Sequence, residues 1–431
     1  MNYLFTTWEG GGNVTPALEA ARRLLARGHR VRVISEACNR PEAEAAGANF
    51  LSWRRAPSRS DRTRYSQTFK DWAAESPQEG LLTVIRDVWC GPALAYAQDV
   101  VEELEREPAD LVVTCEALFG VMAGCQSVGQ SFAILSPNIS LRPLPGIPPL
   151  GPGLPPAQNE QEAAMHAGIA VAVASMFDSG LPALNEARAS LGLEALEHLV
   201  DQFDEASIEL LATSPAFDFP TDSLPPKVRY VGPILADPLW TESWESPWPA
   251  SDQRPLALVA FSTTFQNHTE LMQTLVDALS ELPVRVLVTL GGPLESGDIR
   301  AASNCHIVES APHSQVMKEA SLIITHGGHG TVIKGLASQT PMLLLPHGRD
   351  QNDNAVRVVA RGAGLSLEKN AAKNAIQAAC RRLLEEPEFL AAAQQLGALV
   401  AEHAAQSSVV EELEEAARQA GNREARAIGH C

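Results

Sequence analysis

Short apolar runs alternate with amphipathic stretches from the first residues onward. Tyr3-Leu4-Phe5-Thr6-Thr7 is apolar and β-prone, and Gly10-Gly11-Gly12 breaks it. Pro16 suits the first turn of a helix, and Ala17, Leu18, Ala21, Leu24 and Leu25 recur at helical spacing until Gly28 ends the pattern. Val31-Arg32-Val33-Ile34 is the next strand. Strand, glycine-rich loop, helix, strand is one βαβ unit, from which parallel sheets are built. Residues 110–114 and 131–135 read as further buried strands, separated by a helix of small residues. After residue 255 the rhythm restarts, with strands over 256–261, 284–290, 322–325 and 341–346 and a helix over 271–279.

Two regions lack either period. Residues 142–157, from Arg142-Pro143 to Pro156-Ala157, are crowded with proline and glycine and predict a stiff, extended loop. A loop of this length is often functional, so a pocket wall and a plain connector are both open readings. Residues 236–255 are turn-rich and acidic, and read as an interdomain linker. A chain of 431 residues suits two domains. The expected division is 1–235, a linker at 236–255, 256–410, and a C-terminal helix with a charged, frayed tail at 411–431.

Composition narrows the function. A net charge of −19 disfavours nucleic acid and anionic lipid as partners, although backbone dipoles can still bind a phosphate. The seven cysteines match neither a zinc pattern nor a disulfide framework, which points to reduced thiols and a cytoplasmic location. The N-terminus has no basic lead, and no apolar run is expected to reach the roughly 18 residues of a membrane span.

Chemistry concentrates in residues 322–354. A strand ends at Thr325, glycines follow at 327, 328 and 330, and a helix begins with Thr331, Val332, Ile333, Leu336 and Ala337. Glycine lets backbone N–H groups approach a phosphate closely, and the helix N-terminus adds about half a positive charge. His326 and the Thr331 hydroxyl can donate to phosphate oxygens. A tight turn needing glycine on steric grounds alone is the other reading of the bare cluster. The spacing is neither G-x-G-x-x-G nor G-x-x-x-x-G-K-[ST], which disfavours a dinucleotide fold and a P-loop NTPase. The strand at 341–346 then delivers a polar loop, His347 to Asn354, to its carboxyl end, where open α/β sheets bind ligands. There Asp350 can accept, and Gln351 both donate and accept, from vicinal sugar hydroxyls. Alone, such a loop reads as a solvated turn.

The gapless run I-I-T-H-G-G-H-G-T-V-I-K-G-L-A-S-Q-T-P-M-L-L-L-P-H-G-R-D-Q-N-D-N-A, from Ile323, resembles the nucleotide-sugar signature of family-one glycosyltransferases of the GT-B fold. The opening W-E-G-G-G-N-V-T-P-A-L-E-A-A-R-R-L-L-A-R-G-H-R-V, the string V-R-Y-V-G-P and F-S-T-T-F at 261–265 resemble the same family. The resemblance implies two Rossmann-like domains facing across a cleft, an N-terminal one for the acceptor and a C-terminal one for the nucleotide sugar. It implies His326 as pyrophosphate ligand, Gly328, Gly330 and Thr331 as phosphate donors, and Asp350 with Gln351 on the sugar hydroxyls. Asn354 would brace that loop, Ser262 and Thr263 would reach the diphosphate, and Gly12 joins this nucleotide-sugar set. It further implies an inverting enzyme with no metal and no cofactor beyond the nucleotide diphosphate sugar as co-substrate. The acceptor would be small and hydrophobic: a natural product, a phenolic or flavonoid, or a macrolide. Its pocket would include Trp8, Trp72, Trp89 and the proline-rich loop, in a monomer or homodimer.

Three positions depart from the family. The histidine that usually serves as general base is Asn13, whose amide cannot take a proton near neutral pH. Asn13 is left an orienting role, and Glu116 and Glu9 become the candidate bases, unless the acceptor is a phenol acidic enough to need little help. The W-x-P-Q string that stacks uracil in many relatives is Ser310-Ala311-Pro312-His313 here, which leans toward a thymidine-diphosphate (dTDP) sugar and leaves a uridine-diphosphate (UDP) sugar open. Lys334 stands where plant relatives hold the ribose with a glutamate. The missing histidine also motivates a second hypothesis, a non-catalytic nucleotide-sugar-binding protein. A nucleotide-sugar epimerase of the same architecture is a third.

Overall fold

The hydrophobic rhythm resolves into two parallel sheets. The structure, a computed structural model, describes residues 1–428 apart from 222, 240, 242, 243, 263, 293 and 296, with the side chains of 77 and 423–428 left aside. The first sheet contains β1 (Asn2–Thr6), β2 (Arg30–Ser35), β3 (Asn49–Ser52), β4 (Leu111–Thr114), β5 (Phe132–Ser136), β6 (Ile208–Leu211) and β7 (Val228–Tyr230), in the order β3-β2-β1-β4-β5-β6-β7. The second contains β8 (Leu256–Ala260), β9 (Arg285–Thr289), β10 (Cys305–Val308), β11 (Ala320–Thr325), β12 (Met342–Leu344) and β13 (Gly364–Ser366), in the order β10-β9-β8-β11-β12-β13. Both are the Rossmann-like sheets expected from the sequence. The short strands β3, β6, β7, β10 and β13 are additions to that reading.

Apolar runs without alternation become strands covered on both faces. In β1, Leu4 joins one core cluster while Tyr3 and Phe5 join another on the opposite face. In β8, Ala257 and Val259 are separated in the same way from Leu256, Leu258 and Ala260. Strand order reverses between β1 and β4 in one sheet and between β8 and β11 in the other. Loops leaving the carboxyl ends of strands at such a switch point splay apart and leave a crevice. The two crevices face each other.

The joining segments are less free than their composition suggests. In the linker, Asp237 accepts from Lys334 Nζ at 2.9 Å and from Ser314 N at 3.0 Å. The Trp248 ring meets His306 edge-on, 5.1 Å between centroids, so this stretch lies along the second domain. The C-terminal helix Val409–Ile428 crosses back, and Val409, Val410, Leu413 and Ala417 complete the core beneath β1. The tail read as frayed is helical as far as Ile428.

The domains meet along a tight seam. Arg357 pairs with Asp218 at 2.8 Å, both nearly fully buried, and Tyr230 Oη donates to the same carboxylate at 2.8 Å. The Arg361 Nε donates to the Ala216 carbonyl at 2.9 Å. Elsewhere Arg349 pairs with Asp71 at 2.7 Å, and Trp72 packs edge-on against Phe265 at 5.0 Å. Trp72 therefore belongs to the seam and does not line the acceptor side as expected.

One expectation about membranes needs correction. The helical stretch Glu160–Ser190 is long and apolar enough, by length and composition alone, to cross a bilayer. Its first helix, Glu160–Phe177, buries only Phe177, and its other apolar side chains are exposed or half-buried.

Removing one partner of a buried ion pair strands the other charge, at a cost of about 3–5 kcal/mol. Arg357→Ala is expected to lower the free energy of unfolding in urea by about that amount. A loss below about 1 kcal/mol, the range of exposed pairs, would contradict the buried seam.

Candidate active site

A cleft of about 770 Å³ lies between the two switch points. Gly12, Asn13, Glu116, Ser262, His326, Gly328, Gly330, Thr331, Asp350 and Gln351 all line it. Glu9 and Asn354 do not, and Thr263 lies outside the described residues.

On the C-terminal side, β11 ends at Thr325 and the chain turns through Gly327 at φ +93°, a conformation that favours glycine. A Cβ on Gly328 would lie 2.6 Å from His326 Nε2, so glycine there leaves room for the ring. The following helix, His329–Ala337, has Gly328 as its N-cap and no side-chain cap, which leaves its positive end facing the cleft. Burial holds the His326 pKa well below the ordinary value, with the neighbouring His347, His268 and Arg349 adding to the effect. The ring, stacked on Phe261 at 5.8 Å, is thus biased toward the neutral imidazole, which can still donate one hydrogen bond.

The sugar-side loop is wired into this turn. The Asn354 Nδ2 donates to Asp350 Oδ2 at 2.7 Å and to the Gly327 carbonyl at 2.9 Å, joining the two loops from behind the cleft wall. Burial raises the Asp350 pKa. The Gln351 amide is heavily engaged: Oε1 accepts from His347 N at 2.7 Å, and Nε2 donates to Gln266 Oε1 at 3.0 Å. Gln266 Nε2 in turn donates to Ser262 Oγ at 2.9 Å, and Ser262 Oγ lies 2.9 Å from Thr264 Oγ1. Thr264 Oγ1 accepts from Arg349 at 3.0 Å. A continuous chain of hydrogen bonds thus runs from Gln351 through Ser262 to Arg349, and on to Asp71 of the other domain. Arg349 sits at φ +56°, strained for a side chain, immediately before Asp350.

On the N-terminal side, Asn13 occupies the N-cap of the helix Val14–Ala26, yet its side chain makes no capping bond there. Glu116 follows β4 and Asn138 follows β5. The Asn138 Nδ2 donates to Glu116 Oε1 at 2.7 Å, and the other carboxylate oxygen is buried without a partner. Burial pushes the Glu116 pKa up to about 7, and the charges of Asp350 and Glu209 add to the rise. Glu9 is differently placed: its carboxylate accepts from Arg62 Nε at 2.9 Å. It is an ion-pair partner away from the cleft, with a guanidinium where a substrate hydroxyl would need to be.

The remaining wall on this side is apolar. Trp8, Phe69, Leu81, Val84 and Trp89 line it, with Leu150, Gly151 and Pro152 of the proline-rich loop and Ile169, Val173 and Met176 of the apolar helix. Ser310, Ala311 and His313 line the far end beside Lys334, which is paired with Asp237. Sequence reasoning missed Asn138, Gln266, Arg349 and the apolar helix. Two of these carry a signal in the sequence: Asn138 by its place just past an apolar strand, and the helix by its run without Asp, Glu, Lys or Arg from Ala163 to Phe177.

Among solved structures, the chain is similar to the glycotransferase of kitacinnamycin, with a TM-score of 0.74 at 17% identity, covering 96% of this chain and 98% of that one. That likeness shows the GT-B fold. Among curated proteins it is 29% identical to 4'-demethylrebeccamycin synthase of Lentzea aerocolonigenes, over 95% of this chain and 97% of that protein. It is 23% identical to demethyllactenocin mycarosyltransferase of Streptomyces fradiae, over 82% of this chain and 72% of that protein. Residues 173–408, more than half of the chain, match the family described as UDP-glucoronosyl and UDP-glucosyl transferase, and the chain belongs to that family of glycosyltransferases.

Proposed function

We propose that this glycosyltransferase is inverting, works without a metal, and moves a sugar from a dTDP- or UDP-sugar to a hydroxyl of a small hydrophobic natural product. The observation that carries the reading is Glu116. It is a carboxylate with a pKa near 7, on the acceptor side of the same cleft whose other wall holds Asp350 and His326. A base is most effective when its pKa lies close to the working pH.

In this mechanism the acceptor hydroxyl gives its proton to Glu116 as its oxygen attacks the anomeric carbon. The bond from that carbon to the diphosphate oxygen breaks on the opposite face. Charge developing on the leaving diphosphate meets the N-terminus of the helix His329–Ala337 and the N–H of neutral His326. Asp350 accepts from a sugar hydroxyl, while Gln351 holds the loop in register through His347 and Gln266. Asn13, an amide beside the cleft, orients the acceptor.

The apolar lining supports an acceptor with an extended hydrophobic body. Relatives whose names refer to rebeccamycin and lactenocin are consistent with a natural product. The absence of an aromatic residue at Ser310-Ala311-Pro312-His313 favours a dTDP-sugar over a UDP-sugar. Release of nucleoside diphosphate from each donor, with and without a panel of phenolic and macrolide acceptors, tests the whole reading. Acceptor-independent binding with no release would overturn it.

Two substitutions test the assignments. Glu116→Gln is expected to lower kcat by about 10²–10⁴-fold. Because the base acts when deprotonated and its pKa is raised to about 7, wild-type kcat/KM should fall as pH drops below about 7. That acid limb should vanish in the variant. An unchanged pH profile removes Glu116 as the base. His326→Ala and Asp350→Ala should each reduce turnover at least about tenfold, roughly 1.4 kcal/mol of transition-state stabilisation. Wild-type rates in both would refute the donor site.

A further inference from the structure

The proline-rich loop and the apolar helix that follows it form much of the acceptor wall, and contacts from both domains hold them. The helix Glu160–Phe177 carries no Asp, Glu, Lys or Arg from Ala163 to Phe177. It buries only Phe177, whose ring lies 6.0 Å from that of Trp89, and Val173 and Met176 near the same end pack against the core of the N-terminal domain. That end is seated firmly: a Cβ on Gly180 would lie 2.5 Å from Cys90 Sγ. The other end continues into the loop.

The start of the loop is held by its own domain, where Thr221 Oγ1 donates to the Pro145 carbonyl at 2.6 Å. Its middle is held by the other domain. The Asp353 carboxylate accepts from Gly151 N at 2.7 Å and from Gly153 N at 3.3 Å, and Asn352 Nδ2 donates to the Gly151 carbonyl at 3.3 Å. Gly153 adopts φ +69°, and a Cβ there would stand 2.7 Å from the Asn352 carbonyl oxygen. Only glycine permits that approach. Asp353 lies one turn into the helix Gln351–Ala360, whose N-cap is Asp350. The helix that presents the sugar-side carboxylate therefore also grips the acceptor wall.

We propose that Asp353 is a positioning residue for acceptor binding, because it fastens the proline-rich loop, and through it the apolar helix, across the cleft. The inward side chains Ile169, Val173 and Met176 then close on the apolar body of the acceptor, continuous with the cleft that holds Glu116. The inference rests on the glycosyl-transfer reading for its substrate class. It adds that acceptor recognition is complete only while the donor-side helix is in place. Water reaches the donor more easily when the wall swings away.

The test uses the full-length protein, Asp353→Asn and Gly153→Ala. Gly153→Ala leaves the carboxylate intact and disrupts the same contact sterically, so agreement between the two, at an unchanged Tm, ties the effect to this contact and excludes a global folding defect. Loss of this contact should speed amide exchange over residues 148–177 by at least about tenfold in both variants, with the rest of each domain unchanged. Quercetin, read by quenching of tryptophan fluorescence, should bind at least about fivefold more weakly, while UDP and dTDP bind as in wild type. The ratio of donor hydrolysis to transfer should rise, a readout that a merely structural role would not move. Unchanged exchange over 148–177, unchanged quercetin affinity, or no quercetin binding in wild type would each overturn the proposal. If no acceptor supports transfer but exchange and quercetin affinity change as stated, the function proposed above fails and the tether stands.

Discussion

A carboxylate and a guanidinium buried between the domains, Asp218 and Arg357, fix the position of the helix Gln351–Ala360. One turn earlier the same helix holds Asp353 against the proline-rich loop, and at its start it presents Asp350 to the cleft. Its geometry is therefore set from both sides at once. Buried pairs contribute little net stability, because desolvation offsets most of the attraction. Their value here is in register. Moving the helix by one residue would strand Asp218, free the loop amides and displace the sugar-side carboxylate together.

The electrostatics of the cleft follow from the same burial. On the proposed reading, a chain with net charge −19 receives a diphosphate in a cleft whose ionisable groups are buried or paired. Burial raises the carboxyls of Glu116, Asp350 and Asp353, and depresses His313, His326 and His347. The cations Lys334 and Arg349 are engaged by Asp237 and Asp71. What the proposed mechanism then offers an incoming diphosphate is a set of oriented dipoles: glycine-loop amides, a helix N-terminus and the His326 imidazole. Fixed dipoles need no reorganisation as charge moves from the anomeric carbon to the leaving group.

The sequence made the repeating βαβ units, both switch-point loops and most of the donor side legible, because these depend on local signals. Glycines mark the phosphate turn, and apolar runs mark strands covered on both faces. What escaped depends on distant partners. Trp72 reads as a pocket residue until it is found packed on Phe265 across the seam. Glu9 and Glu116 are equivalent as letters near strand ends, yet Arg62 reaches one and Asn138 the other. Arg349, in a left-handed conformation, gives no local sign that its partner is Asp71, far earlier in the chain. The apolar helix was overlooked because its alanines and glycine dilute the hydrophobic signal, while the absence of charge is what marks it.

In the proposed mechanism, Asn13 at the position of the histidine that the resemblance leads one to expect relocates the base without changing the chemistry required of it. A histidine at the N-terminus of a helix has its cationic form disfavoured by the helix dipole, which keeps it an imidazole near neutrality. A carboxylate arrives at the same proton affinity by another route: it must be buried until its pKa climbs by units. Glu116 meets that condition at the end of β4, where Asn138 satisfies one oxygen and the hydrophobic wall excludes water from the other. In the proposed mechanism the wall that shapes the acceptor pocket thus also tunes the base. Opening it would return Glu116 toward an ordinary carboxylate, weaker as a base by the same margin.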